Sequence, residues 1–234
     1  MLIKFMKRKC NKNTVDAAYD LLVQKILDST LKAGEVVTEF SLAERFKLGR
    51  TPIREALKKL EIEGLIQIRN RTKIIQQLSD NDIEEIFDLK ILLESNIARV
   101  ATLKGTASQK RKLEVILMEM KEYKNSYLIN VAYNNDKYLK EWLRLDESFH
   151  KLLFEMAGNE RIIRIIRGLN LQWHRFKIGL MAIEDRIERA VDEHCQIGLA
   201  IIKNEPDLAE KAMHDHLLSL KRVLITLKKV FSPS

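Results

Sequence analysis

The sequence predicts a mainly α-helical protein in two parts: a head of three helices and a β-hairpin, then six longer helices. Three observations carry this expectation. Apolar residues recur at three- and four-residue intervals through most of the 234 residues, the period of an amphipathic helix. The β-prone runs are confined to Leu65 to Arg69 (LIQIR), which alternates, and Lys73 to Leu78 (KIIQQL). With only eight Gly and three Pro, collagen-like, Pro-rich and Gly/Ser-linker classes are excluded.

Each element follows from local signals. Val15, Ala18, Leu22 and Ile26 stand at helical spacing behind Thr14, an N-cap residue, so a first helix runs to about Ser29. Gly34 ends that segment. Ser41-Leu42-Ala43-Glu44 has the form of a capping box and predicts a short helix from Ser41 to about Lys47. Gly49 makes the turn, Thr51 is the next cap and Pro52 the first helical residue. Ile53, Ala56, Leu57 and Leu60 then form one stripe until Gly64. Asn70-Arg71-Thr72 turns the chain between the two β-prone runs. Helix, short helix, tight turn, helix and hairpin make a winged helix-turn-helix over residues 14–78, preceded by a flexible basic arm at residues 1–13. After Asp80, helices are expected over 81–104, from Ser108 to about Asn125, and from about 136 to Met156. The Tyr/Asn-rich stretch Tyr127 to Asn135 loosens the pattern between the second and third. Gly158 breaks the chain, and Asn159 to about Leu180, about 183 to Lys203, and Asp207 to about Val230 complete an all-α six-helix bundle over 79–234.

Charge divides unevenly between the two parts. Residues 1–75 hold 16 Lys and Arg against nine Asp and Glu, a balance of +7, whereas residues 76–234 carry only +1. A basic head on a near-neutral body is the electrostatic footprint of a nucleic-acid-binding module. Arg50 and Arg54 lie four apart on one face, with Lys58 a further turn along, opposite the apolar stripe. The helix N-terminus at Arg50-Thr51 favours anions, arginine donates bidentately to a guanine edge, and lysine serves phosphate as a point charge. Arg69, Arg71 and Lys73 in the wing suit the backbone or minor groove.

The stretch Leu42-Ala43-Glu44 through Gly49-Arg50-Thr51-Pro52-Ile53-Arg54-Glu55-Ala56-Leu57, followed by Leu60-Glu61 and Glu63-Gly64-Leu65, resembles the DNA-binding domain of GntR-family bacterial transcription regulators over residues 14–76. The resemblance implies that Arg50, Thr51, Arg54, Lys58, Arg69 and Arg71 contact DNA. Three positions depart from the family pattern. Ala33-Gly34 stands for Pro-Gly, Gly49 for Ser, and Asn70-Arg71-Thr72 for a glycine-containing wing. The missing Ser hydroxyl removes a phosphate or cap contact.

In the second part, polar residues fall where apolar ones are expected. On the helix around 136–156, Asp146 and His150 project within the stripe of Leu139, Trp142, Leu143, Leu153 and Met156. His194 lies on the inner face defined by Ile187, Val191, Gly198 and Ile201. His216 lies among Met213, Leu217, Leu220 and Leu224, with His214 about 160° away at 100° per residue. A buried unpaired carboxylate costs several kcal/mol, so Asp146 needs a cation or strong donors. Imidazoles and a carboxylate from three helices suit a divalent ion such as zinc, nickel or manganese.

Here too there is a resemblance. LDESFHKLLFEMAGNERI, the later DEHCQI and the final MHDHLL look like the FCD ligand-sensing domain, extending the likeness to residues 14–225. In metal-containing members an Asp, His, His, His set binds a divalent ion that helps hold a carboxylate effector. By position that implies Asp146, His150, His194 and His216 as metal ligands. Members commonly place arginine in the first sensing helix where this chain has Lys90, so Lys90 is the candidate effector-binding residue, a single charged donor in place of a bidentate clamp.

The reading is therefore a transcription regulator of repressor type. It is a homodimer on a two-fold DNA operator, with the 51–63 helix in the major groove and an organic-acid effector bound near the metal. Two cysteines exclude a disulfide framework, no apolar run approaches the roughly 18 residues that span a bilayer, and charge interrupts Met1 to Lys9 too early for a signal peptide. No membrane partner and a cytoplasmic location are the expectation. The alternative is a metal-dependent enzyme using the Asp/His₃ site, which lacks an HExxH-like glutamate or a nucleophile motif.

Overall fold

The computed structural model describes residues 14–129, 136–181 and 185–231. The expected basic arm and residues 130–135 of the Tyr/Asn-rich stretch lie outside the described residues. Contacts group the chain into two compact units, one running through Ser79 and taking in residues 167–175, the other holding the rest.

The first unit contains α1 (Val15–Leu27), β1 (Val36–Val37), α2 (Glu39–Phe46), α3 (Arg50–Ile62), β2 (Ile66–Arg69) and β3 (Thr72–Ile75). Thr14 caps α1 by accepting from the Ala17 amide at 3.3 Å. The start of α2 differs from expectation. Thr38 is its N-cap, accepting from the Ser41 amide at 3.0 Å while Ser41 Oγ accepts from the Thr38 amide at 3.1 Å. Ser41 is thus the third helical residue of a box that opens three residues earlier, because the Thr38 hydroxyl reaches the orphan amides first. α3 begins at Arg50 with Gly49 as N-cap, so Thr51 is not the cap and Pro52 is the third helical residue. No side chain closes that end, and its amides stay open.

The strands form an antiparallel sheet in the order β1-β3-β2. β1 pairs Val36 with Ile74 and Val37 with Lys73, a two-residue strand the alternation pattern was too short to reveal. Asn70 and Arg71 turn the hairpin with φ of 50° and 63°. Both are in the left-handed region that type I′ hairpins demand, which asparagine tolerates better than arginine. Leu22, Ile26, Leu42, Ile53, Leu57, Leu60 and Ile75 are buried together as the core that seats α3.

The regular elements described in the second unit are all helices: α4 (Asp80–Lys104), α5 (Ala107–Ile129), α6 (Asp136–Ala157), most of α7 (Glu160–Met181), α8 (Arg186–Ile202) and α9 (Pro206–Phe231). Gly158 ends α6 at φ 65°, and Asn159 Oδ1 accepts from the Ile162 amide at 3.2 Å to start α7. Leu113, Trp142, Phe149, Leu153, Val191, Ile197, Met213 and Leu217 interlock in its core. Gly198 on α8 lets α5 come close: a Cβ there would stand 2.6 Å from Leu117 Cδ1. α4 packs on α6, α8 and α9, and α8 on α9, which brings the inner faces carrying the polar residues together.

Candidate functional site

Within the helical unit, α6, α8 and α9 each deliver one inward histidine. One ring nitrogen from each of His150, His194 and His216 lies within 4.8 Å of the others. His194 Nε2 stands 3.3 Å from His150 Nε2. Asp146, one turn before His150, joins at the edge, its Oδ1 3.4 Å from His194 Nε2 and 3.9 Å from His150 Nε2. Of the four residues expected to hold a metal, the three histidines thus converge on one point and Asp146 lies beside two of them. His214, assigned to the opposite face, is exposed and bonded to Asp215. Trp142 and Phe149 pack edge-on against His194 at ring separations of 5.6 and 4.7 Å, giving the cluster an apolar wall.

The outer nitrogens of His194 and His216 are hydrogen-bonded, and that of His150 faces a carboxylate without a hydrogen bond. His194 Nδ1 lies 2.5 Å from the Ala190 carbonyl, His216 Nδ1 2.7 Å from Glu193 Oε2, and His150 Nδ1 3.5 Å from Glu94 Oε2. Buried Arg186 reaches the same Glu193 oxygen at 3.2 Å. Burial opposes ionisation of Glu193, but the His216 hydrogen bond and the Arg186 charge outweigh it and hold its carboxyl at about 2. Burial likewise pushes the His216 imidazole below its ordinary value, against the pull of Glu193.

Lys90, the candidate effector-binding residue, is 2% exposed and bonded to Glu94 four residues on. A buried ammonium needs a counter-charge, and Glu94 supplies it. Glu94, Arg186 and Glu193 were all missed. The Lys90/Glu94 spacing and the position of Glu193 beside His194 were the available signals, but charged residues on a helix are ordinarily solvated.

In the head, Arg50, Thr51, Arg54 and Lys58 are all exposed along one side of α3, and Arg69 and Arg71 are exposed at the hairpin. Lys73 instead turns back to Glu61 at 2.5 Å. Two neighbours of this face were not anticipated. Phe40, itself exposed, lies under Arg50, whose Cζ is 4.9 Å from the ring centre. Glu55 stands inside the basic stripe, with Lys58 Nζ at 3.1 Å and Arg54 Nε at 3.5 Å, and the Lys58 hydrogen bond keeps its carboxyl below the usual range.

A winged helix-turn-helix that exposes a basic helix, on one chain with an all-α unit, defines a DNA-binding transcription regulator. Residues 14–74 match the family described as bacterial regulatory proteins, gntR family, and residues 85–219 match the FCD domain. The chain belongs to the GntR family. It is 30% identical to the Uxu operon regulator of Haemophilus influenzae, over 97% of this chain and 89% of that protein. It is 28% identical to the HTH-type transcriptional repressor RspR of Escherichia coli, over 85% and 83% of the two chains. Among solved structures, McbR/YncC of E. coli has the same fold, with a TM-score of 0.69 at 14% identity, covering 91% of this chain and 97% of that one. Among the described residues no helix is long and apolar enough to cross a membrane.

Proposed function

We propose that the protein is a cytoplasmic, homodimeric repressor whose operator affinity is set by a small carboxylate effector bound beside a divalent metal in the helical unit. The observation that carries this reading is the convergence of His150, His194 and His216 on one point, with Asp146 at its edge. Three imidazoles and a carboxylate suit zinc, nickel or manganese and leave one or two coordination positions open. When bound, such an ion supplies a Lewis-acid anchor for a carboxylate oxygen. The chain's own part is to fix the donors from three rigid helices and to line the site with Trp142 and Phe149.

On the DNA side, Arg50 and Arg54 read base edges, while Lys58, Arg69 and Arg71 bind phosphate or minor groove. The open amide end at Gly49 and Thr51 receives a backbone phosphate. Arg71 in a left-handed turn position, which costs about 1–2 kcal/mol for a residue with a Cβ, supports a contact made by that side chain. Two relatives point the same way: one bears the name of an operon regulator and another that of a repressor.

The test is to select duplexes from a random pool with the full chain and compete the winners with unrelated DNA. Arg54→Ala should weaken binding to the selected site by about 1–3 kcal/mol and relax its base preference. Equal binding of selected and unrelated duplexes, or an Arg54→Ala variant that binds as the parent does, contradicts the reading.

A further inference from the structure

Two buried arrangements in the helical unit repeat one pattern. Lys90 bonds Glu94 through Oε1, and Oε2 of the same carboxylate is the acceptor facing His150 Nδ1, at 3.5 Å and short of a hydrogen bond. Arg186 bonds Glu193 Oε2 at 3.2 Å, and that oxygen also meets His216 Nδ1 at 2.7 Å. Each is a cation, a carboxylate and an imidazole in series, built from different helices. Both cations are almost wholly buried, Lys90 at 2% and Arg186 at 1% exposure.

We propose that Glu94 and Glu193 are positioning residues that set the tautomers of His150 and His216, so that both rings carry hydrogen on Nδ1 and present a bare Nε2. A carboxylate only accepts, so the ring nitrogen beside it carries the hydrogen. His194 reaches the same tautomer by another route, because its Nδ1 donates to the Ala190 carbonyl, an acceptor that no side-chain substitution removes. All three rings then direct lone pairs inward. The two Nε2 atoms 3.3 Å apart, with Asp146 Oδ1 beside them, form an electron-rich point suited to a cation. Lys90 and Arg186 give the two carboxylates cationic partners without competing for the ring nitrogens. The competing arrangement, in which His150 Nε2–H donates to His194 Nε2, would leave the bare Nδ1 of His150 facing the Glu94 carboxylate. The purpose of the device rests on the metal reading above, but the tautomers are measurable without a metal.

The experiment is long-range proton–nitrogen NMR of the histidine rings in the full chain, stripped of metal, at mildly alkaline pH, for the parent, Glu94→Gln and Glu193→Gln. Nδ1–H on all three rings of the parent is expected. Glu94→Gln should shift only His150, and Glu193→Gln only His216, toward Nε2–H, with His194 as internal control. Zinc affinity, measured by chelator competition on variants whose melting curves show them folded, should fall about 10–100-fold in each. Nε2–H on His150 and His216 of the parent overturns the proposal, and so do rings that ignore both substitutions. If the variants do not fold, the parent spectrum decides alone. A parent with the expected tautomers that takes up no zinc supports the positioning role and overturns the metal reading instead.

Discussion

His194 Nε2 and His150 Nε2 approach to 3.3 Å across 44 residues of sequence, from two different helices and against an aromatic wall. A divalent ion held there binds the folded chain and not the unfolded one. Zinc at a hundred times its dissociation constant should therefore add about 2.7 kcal/mol of stability. The check is thermal unfolding with and without zinc, and His194→Ala should abolish the shift.

The Lys90–Glu94 pair separates stability from site formation. Lys90→Met leaves Glu94 buried without its partner and should cost about 3–5 kcal/mol, because an uncompensated charge stays out of water. The double change Lys90→Met with Glu94→Leu removes both charges and should recover most of that loss. Zinc affinity should stay low, since His150 loses the carboxylate beside Nδ1. Denaturant unfolding and chelator competition on the two variants measure these separately.

Glu55 tempers the DNA face. It holds Lys58 and Arg54 and adds a negative charge where phosphates would approach. Glu55→Gln should tighten binding to selected and unrelated duplexes alike. Lys58→Ala should lower the slope of log affinity against log salt by about one. Salt titrations of both variants provide the comparison.

Tyr19 links the head to alkaline pH. Burial first, then its 2.6 Å hydrogen bond to Glu63, raise the phenol well above its ordinary value. The neutral form is favoured in the folded state, so this stabilisation is fully present below about pH 10 and lost as pH rises beyond it. Tyr19→Phe should cost about 1–2 kcal/mol at neutral pH and flatten the decline above about pH 10. Denaturant unfolding of both proteins across that range is the measurement.

Helix periodicity exposed most of the architecture because each helix buries one face, as Ile53, Ala56, Leu57 and Leu60 do on α3. The four residues of the histidine centre were legible for the same reason: Asp146, His150, His194 and His216 interrupt apolar stripes. Local capping was less legible. Ser41 and Glu44 fit the box pattern, yet Thr38 outcompeted them by sitting where the chain leaves β1. β1 itself depends on pairing with residues almost forty positions away and carries no period of its own. Glu94, Arg186 and Glu193 were missed because Lys90–Glu94 on α4 and Arg186–Glu193 on α8 are pairs within one helix, which are ordinarily solvated, and only the packing of neighbouring helices over them makes them buried partners.

The most direct measurement is elemental analysis of the full chain purified at neutral pH without a metal-affinity column, beside His194→Ala prepared the same way. About one divalent ion per chain is expected in the parent and none in the variant, following the tetrahedral or near-tetrahedral donor sets of such sites. A parent that carries no ion and takes up none on dialysis against zinc, nickel or manganese would contradict the account and return the three histidines to the hydrophobic core.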